Sequence, residues 1–111
     1  MRWIINPGVE ESEEPSFIGG GLRLFQNRPN PCRYRTEIPF HLPSSSPVTL
    51  DIFDQRGGVV RRLRKEILNP GNHSLHWDLK DDRGTFVAGG TYLYRLITSN
   101  GVRTSKLTVI R

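Results

Sequence analysis

Alternation of apolar with polar residues, interrupted at short intervals by turn-forming residues, restricts this chain more than any other feature. Ile38, Phe40 and Leu42 fall on one side of an extended segment, with Glu37, Pro39 and His41 on the other. Val48, Leu50 and Ile52 alternate with Thr49, Asp51 and Phe53. Further on, Leu75, Trp77 and Leu79 share a face, as do Tyr92, Tyr94 and Leu96, and then Leu107 and Val109. A period of two marks strands with one buried face. Between these segments lie LPSSSP (Leu42 to Pro47), read as a loop, and DQRGG (Asp54 to Gly58), read as a hairpin turn with both glycines at positive φ. NPGN (Asn69 to Asn72) reads as a tight turn, KDDRGTFVAGG as a long turn-rich connection, and SNG (Ser99 to Gly101) as a second hairpin. Leu22 and Leu24 open a possible short strand. VVRRLRKEI, with Val59, Arg61 and Leu63 on one face and Val60, Arg62 and Arg64 on the other, has the polarity of an edge strand. The expected architecture is all-β, an immunoglobulin-like antiparallel sandwich of six to seven short strands over residues 22–111.

The 111 residues suit one domain with a modest core, and 11 glycines with 8 prolines agree with many turns. Charge divides the chain. Residues 1–21 hold Glu10, Glu11, Glu13 and Glu14 against Arg2, a net of −3, whereas residues 22–111 hold 15 Lys or Arg against 7 Asp or Glu, a net of +8. Residues 1–21 therefore read as a flexible acidic linker or leader ahead of a basic domain. No apolar run is long enough for a membrane span, and MRWII is too short for the apolar region of an export signal. Cys32 is single, which excludes an internal disulfide and fits a small buried hydrophobe.

QNRPNPCRYRTEIPFHLP (Gln26 to Pro43) contains four prolines. Proline fixes φ and has no N–H to donate to a ladder, so Arg28 to Pro31 cannot be a central strand. The stretch reads as a stiff, extended lead-in to the first long strand.

Three groups of residues invite chemistry. Asp78, Asp81 and Asp82 bring together oxygen donors of the kind a calcium ion takes, but the spacing lacks the bidentate glutamate of a calcium loop. The favoured reading is an Asx-stabilised turn, with no metal and no cofactor. Arg61 to Lys65 forms a basic run, yet strand alternation splits it across two faces, so a solvated edge or contact with anionic polysaccharide is favoured over nucleic acid. His41, His73 and His76 have no metal-like spacing, and no serine sits in a nucleophile elbow. Catalysis is not expected.

The order of these segments resembles a known family over about residues 24 to 111: LFQNRPNPCRYRTEIPFHLP, VTLDIFDQRGGVVRRL, NPGNHSLHWDLKDDRGTFVAGGTYLYRLIT, then KLTVIR. It is similar to the C-terminal sorting domain of type IX secretion, a module related to the immunoglobulin-like domain of the flagellar hook-capping protein. The family's motif falls on Gln26, Asn27, Pro29, Asn30 and Pro31, and later on Trp77, Asp78, Asp81, Gly84, Gly90 and Tyr92. Cys32 stands where the family commonly has phenylalanine, which implies lost apolar packing at that corner. The resemblance implies a non-catalytic module that follows a passenger domain. It directs that passenger through the periplasm and outer-membrane machinery to the surface of a Gram-negative bacterium, with attachment to lipopolysaccharide. It also implies that the sequence is a fragment or an incomplete reading frame. The residues then expected to meet that machinery are Pro29, Asn30, Pro31, Tyr94, Arg95, Lys106 and Arg111. For Tyr94, from the residues alone, a core or sheet-surface aromatic is the favoured reading. A structural interaction module, of the hook-cap type or accessory to a secreted hydrolase, is the alternative function.

Overall fold

In the computed structural model, which describes residues 21–111, the alternating segments become seven strands. These are β1 (Arg23–Leu24), β2 (Thr36–Leu42), β3 (Ser46–Phe53), β4 (Val59–Leu68), β5 (Gly71–Trp77), β6 (Gly90–Thr98) and β7 (Gly101–Val109). The acidic leader expected over residues 1–21 lies, apart from Gly21, outside the described residues. One antiparallel sheet has the order β1-β2-β5 and the other β4-β3-β6-β7. The two sheets make an immunoglobulin-like sandwich in which β4 pairs with β3 rather than with β5.

The inward residues are those that alternation singled out. Ile38, Phe40 and Leu42 of β2 and Leu75 and Trp77 of β5 meet Val48, Leu50 and Ile52 of β3, Tyr92, Tyr94 and Leu96 of β6, and Leu107 and Val109 of β7. The central strands β2, β3 and β6 bury the face that meets the other sheet, whereas the edge strand β4 only rests Val60, Leu63 and Leu68 partly buried against the core. β4 is an edge strand, as its polarity required, and β7 is the opposite edge.

Several local readings need correction. The LPSSSP loop shortens to Pro43–Ser45, because β3 already begins at Ser46. Ser46 is buried, its hydroxyl donating to the Pro47 carbonyl and accepting from the Ser99 N–H at 2.8 Å. In DQRGG only Gly57 has positive φ, at 88°, so only one of the two glycines carries the left-handed backbone of the turn. NPGN is not a hairpin turn. It carries the chain from β4 in one sheet to β5 in the other. Leu79 reaches the core, but β5 ends at Trp77; Leu79 turns inward through a left-handed conformation, φ 61°, that leucine adopts at a cost. Its burial and the bond from the Val87 N–H to its carbonyl, 2.9 Å, hold it there.

Candidate partner-recognition site

The proline stretch does more than lead into β2. Arg28 exchanges both backbone bonds with Glu37 on β2, at 2.8 and 2.7 Å, and its guanidinium meets the Glu37 carboxylate at 3.1 Å. Four residues later the chain has crossed to the other sheet. The Cys32 N–H donates to the Thr108 carbonyl at 2.9 Å, and the Ile110 N–H donates to the Cys32 carbonyl at 2.8 Å. The Asn30 side-chain oxygen accepts the Thr108 N–H at 3.0 Å. Residues 28–32 are thus a strap from one sheet to the free edge of β7, with Cys32 bridged parallel to Val109. Proline suits a strap: with no N–H of its own at 29 and 31, it leaves no donor without a partner. Both X–Pro bonds, Arg28–Pro29 and Asn30–Pro31, are cis.

The strap is anchored from beneath by Asn27, whose side chain is buried. Its amide donates to the Pro29 carbonyl at 3.1 Å and to the Thr36 hydroxyl at 3.0 Å. Its backbone N–H donates to the Tyr94 hydroxyl at 3.1 Å, and that hydroxyl donates to the Phe25 carbonyl at 2.9 Å. Tyr94 is therefore not a surface recognition residue. Its ring is wholly buried, and its one polar atom is used inside the protein. Burial also pushes its phenol pKa up, so it stays protonated and able to donate. Tyr94→Phe is expected to cost about 1–3 kcal/mol, because it leaves the Asn27 N–H and the Phe25 carbonyl without a partner. Thermal unfolding checks this; a midpoint equal to the parent's would show that the hydroxyl does not hold the strap.

Of the other residues expected to face a partner, Pro29, Asn30, Pro31, Lys106 and Arg111 are exposed; the first three lie on the strap, Lys106 on the outward face of β7 opposite Leu93, and Arg111 just past the end of β7. The Lys106 carbonyl accepts from the Gln26 side chain at 2.9 Å. Arg111 donates to the Val87 carbonyl at 3.0 Å and the Arg33 carbonyl at 3.3 Å, and both it and Lys80 sit over the Phe86 ring. Arg95 is elsewhere, on the outward face of β6, its guanidinium 4.6 Å over Phe53. Cys32 is fully buried, and burial raises its thiol pKa, so it packs as a small hydrophobe.

The motif between β5 and β6 is structural. Asp78 Oδ1 accepts the Lys80 N–H and the Arg61 guanidinium, both at 3.1 Å. Asp81 Oδ1 accepts the N–H groups of Arg83 and Thr85 at 2.9 and 3.0 Å, and Gly84 takes φ 85°. These are Asx turns, in which one oxygen of each carboxylate holds backbone N–H groups of the connection. Trp77 donates to the Lys80 carbonyl at 2.9 Å, and Tyr92 to the Ala88 carbonyl at 2.6 Å. Gly90, φ 150°, opens β6 directly after this connection. The basic run is also partly spent: Arg61 bonds the Asp78–Asp82 loop, and Arg62 clamps Asp51 with bonds of 2.7 and 3.1 Å. At Glu37 the Ser74 hydroxyl, then Arg28, holds the carboxyl below the usual range. Sequence reasoning missed Asn27 as the anchor and the Asp51–Arg62 pair, although counting back from the DQRGG turn places those two nearly opposite.

Comparison with known proteins follows these features. A sequence model of the FlgD Ig-like domain matches residues 34–101. The chain belongs to the FlgD Ig-like domain family. The basal-body rod modification protein FlgD of Salmonella typhimurium is 39% identical over 66 residues, which is 57% of this chain and 28% of that protein. The chain thus corresponds to a little over a quarter of that FlgD. In fold it is similar to dimeric latent PorU from Porphyromonas gingivalis, with TM-score 0.68 and 21% identity over 90% of this chain and 10% of PorU. It is also similar to PorZ, an essential surface component of the type-IX secretion system of P. gingivalis, with TM-score 0.57 and 20% identity over 79% of this chain and 11% of PorZ. At those identities the likeness is one of fold.

Proposed function

We propose that the chain is a non-catalytic, FlgD-type immunoglobulin-like interaction module that works as one part of a larger exported protein. The observation that carries this reading is the match of residues 34–101 to a domain that makes up a fraction of FlgD. Buried and turn side chains, Asn27, Tyr94 and Asp81 among them, hold the strap and the long connection from within, which suits a rigid adaptor. The test is a chimaera in which the immunoglobulin-like domain of Salmonella FlgD is replaced by residues 22–111. Hook assembly and motility are expected to persist. A chimaera that is folded and stable but assembles no hooks would overturn the hook-cap reading.

Fold likeness to PorU and PorZ, together with the ordered motifs from Gln26 to Arg111, supports a second reading. There the module sorts an upstream passenger through outer-membrane machinery to the cell surface, with attachment to lipopolysaccharide. Residues 22–111 fused behind an exported reporter, in a host with type IX secretion, should then bring the reporter to the surface. Retention in the periplasm rules this reading out and leaves the first one standing.

A further inference from the structure

The outward face of the β4-β3-β6-β7 sheet is not the evenly polar surface that the solvent side of an antiparallel sheet normally shows. Its middle row runs Arg62, Asp51, Arg95 and Thr104 across the four strands. Asp51 is only 4% exposed although it points away from the core, because Arg62 clamps it in a two-bond pair and Arg95 is its other cross-strand neighbour. On one side of this row Leu93 stands beside Phe53, with Val59 beyond, and on the other Ile97 pairs with Val102. Leu93, Val59 and Val102 are 40%, 45% and 48% exposed. Single exposed apolar residues need no explanation, but here they flank a charged row on one face.

The charge on this face is positive: the Arg62–Asp51 pair cancels, which leaves Arg64, Arg95 and Lys106 against Glu66 of β4, which falls at the register shift near the end of that strand. The Arg95 guanidinium lies over the Phe53 ring, which holds the group in place, and its N–H groups make no hydrogen bond among the described residues, an arrangement suited to receive a carboxylate at their edge. A second copy of this face would set like charges against each other, which disfavours self-association through it. An anionic polysaccharide would meet the arginines but leave the apolar flanks uncovered. Charge and apolarity together match an extended protein segment that carries carboxylates beside apolar side chains.

We propose that this outward face, centred on Arg95, is the module's docking surface, and that its occupant is an acidic, apolar-flanked segment of a partner protein. The proposal rests on the reading of the chain as an interaction module and names the surface that such a module would use.

The test titrates the isotopically labelled full chain with a synthetic peptide of alternating glutamate and valine, and with the same peptide carrying glutamine for glutamate, followed by amide NMR shifts. Shifts centred on Phe53, Leu93, Arg95 and Thr104 are expected, with the glutamine peptide weaker by about tenfold or more. Arg95→Ser with Leu93→Ser should weaken the glutamate peptide similarly while circular dichroism shows an unchanged fold. Arg83→Ser, a cation away from this face, should bind as the parent does. No binding, shifts elsewhere, or equal affinity for the two peptides overturns the proposal. So does dextran sulfate matching the peptide at the same amides, or a dimer in sedimentation that the peptide dissolves, or occupancy of the face by residues 1–20 of the chain itself. In the FlgD chimaera the two readings separate. If the parent chimaera assembles hooks and the Arg95→Ser, Leu93→Ser chimaera does too, the docking surface is wrong and the module reading survives. If the parent chimaera fails, it is the module reading that falls.

Discussion

Deleting Ser105 to Arg111 is expected to unfold the domain. The deletion removes Leu107 and Val109, both buried in the core, and each such side chain contributes roughly 1.5–3 kcal/mol. It also strips the partners from the β6 edge between Gly90 and Tyr94 and from the strap at Cys32 and Asn30. Buried backbone groups left unpaired cost about 1–3 kcal/mol each. Against a total stability of about 5–15 kcal/mol for a domain of this kind, that loss is decisive. Lys106→Ala with Arg111→Ala should by contrast keep the fold, because both side chains are exposed and the losses, the Arg111 bonds to Val87 and Arg33 and its contact with the Phe86 ring, lie at the surface. Circular dichroism melts of both variants beside the parent decide the matter. A truncated chain that melts cooperatively near the parent's midpoint would make β7 dispensable.

Trp77→Ala is expected to be the most damaging single substitution, costing about 3–5 kcal/mol. Trp77 is excluded from water and links the sheets: it sits on β5, and its ring meets Tyr92 of β6 edge-on at 5.8 Å and 69°. Trp77→Phe should be much milder for a specific reason. The Lys80 carbonyl that accepts the indole N–H also accepts the Arg61 guanidinium at 3.1 Å, so it keeps a partner when the indole is gone. Urea unfolding should therefore rank parent, Trp77→Phe and Trp77→Ala in falling stability. A phenylalanine variant as unstable as the alanine one would mean that the indole N–H, rather than the ring volume, holds the sheets together.

The fold was legible where a strand buries one face and hides nothing else. β2, β3, β6 and β7 show their inward residues directly, and the SNG turn sets the β6–β7 register, Thr98 opposite Gly101, through to Gly90 opposite Val109. Legibility failed where the answer lies in a distant partner. Between Ile52 opposite Arg61 and Phe53 opposite Val59 the register slips by one, and that bulge conceals how Arg62 meets Asp51. NPGN has the chemistry of a tight turn whether its flanking strands pair with each other or join different sheets. Tyr94 reads as an inward aromatic, but nothing local says that its hydroxyl ties down Phe25 and Asn27, 69 and 67 residues away. For the candidate site, alternation placed Arg95 and Lys106 outward correctly and could not show that Arg95 lies apart from the proline strap.

The strap also sets an order in time. Cys32 cannot make its backbone bonds until Thr108 and Ile110 are available, 76 and 78 residues further along the chain. A chain made or threaded from its N-terminus onward therefore spends nearly its whole passage with its two sheets unfastened at this corner. Only when β7 emerges does the corner close. β7, the last strand to appear, acts as the latch.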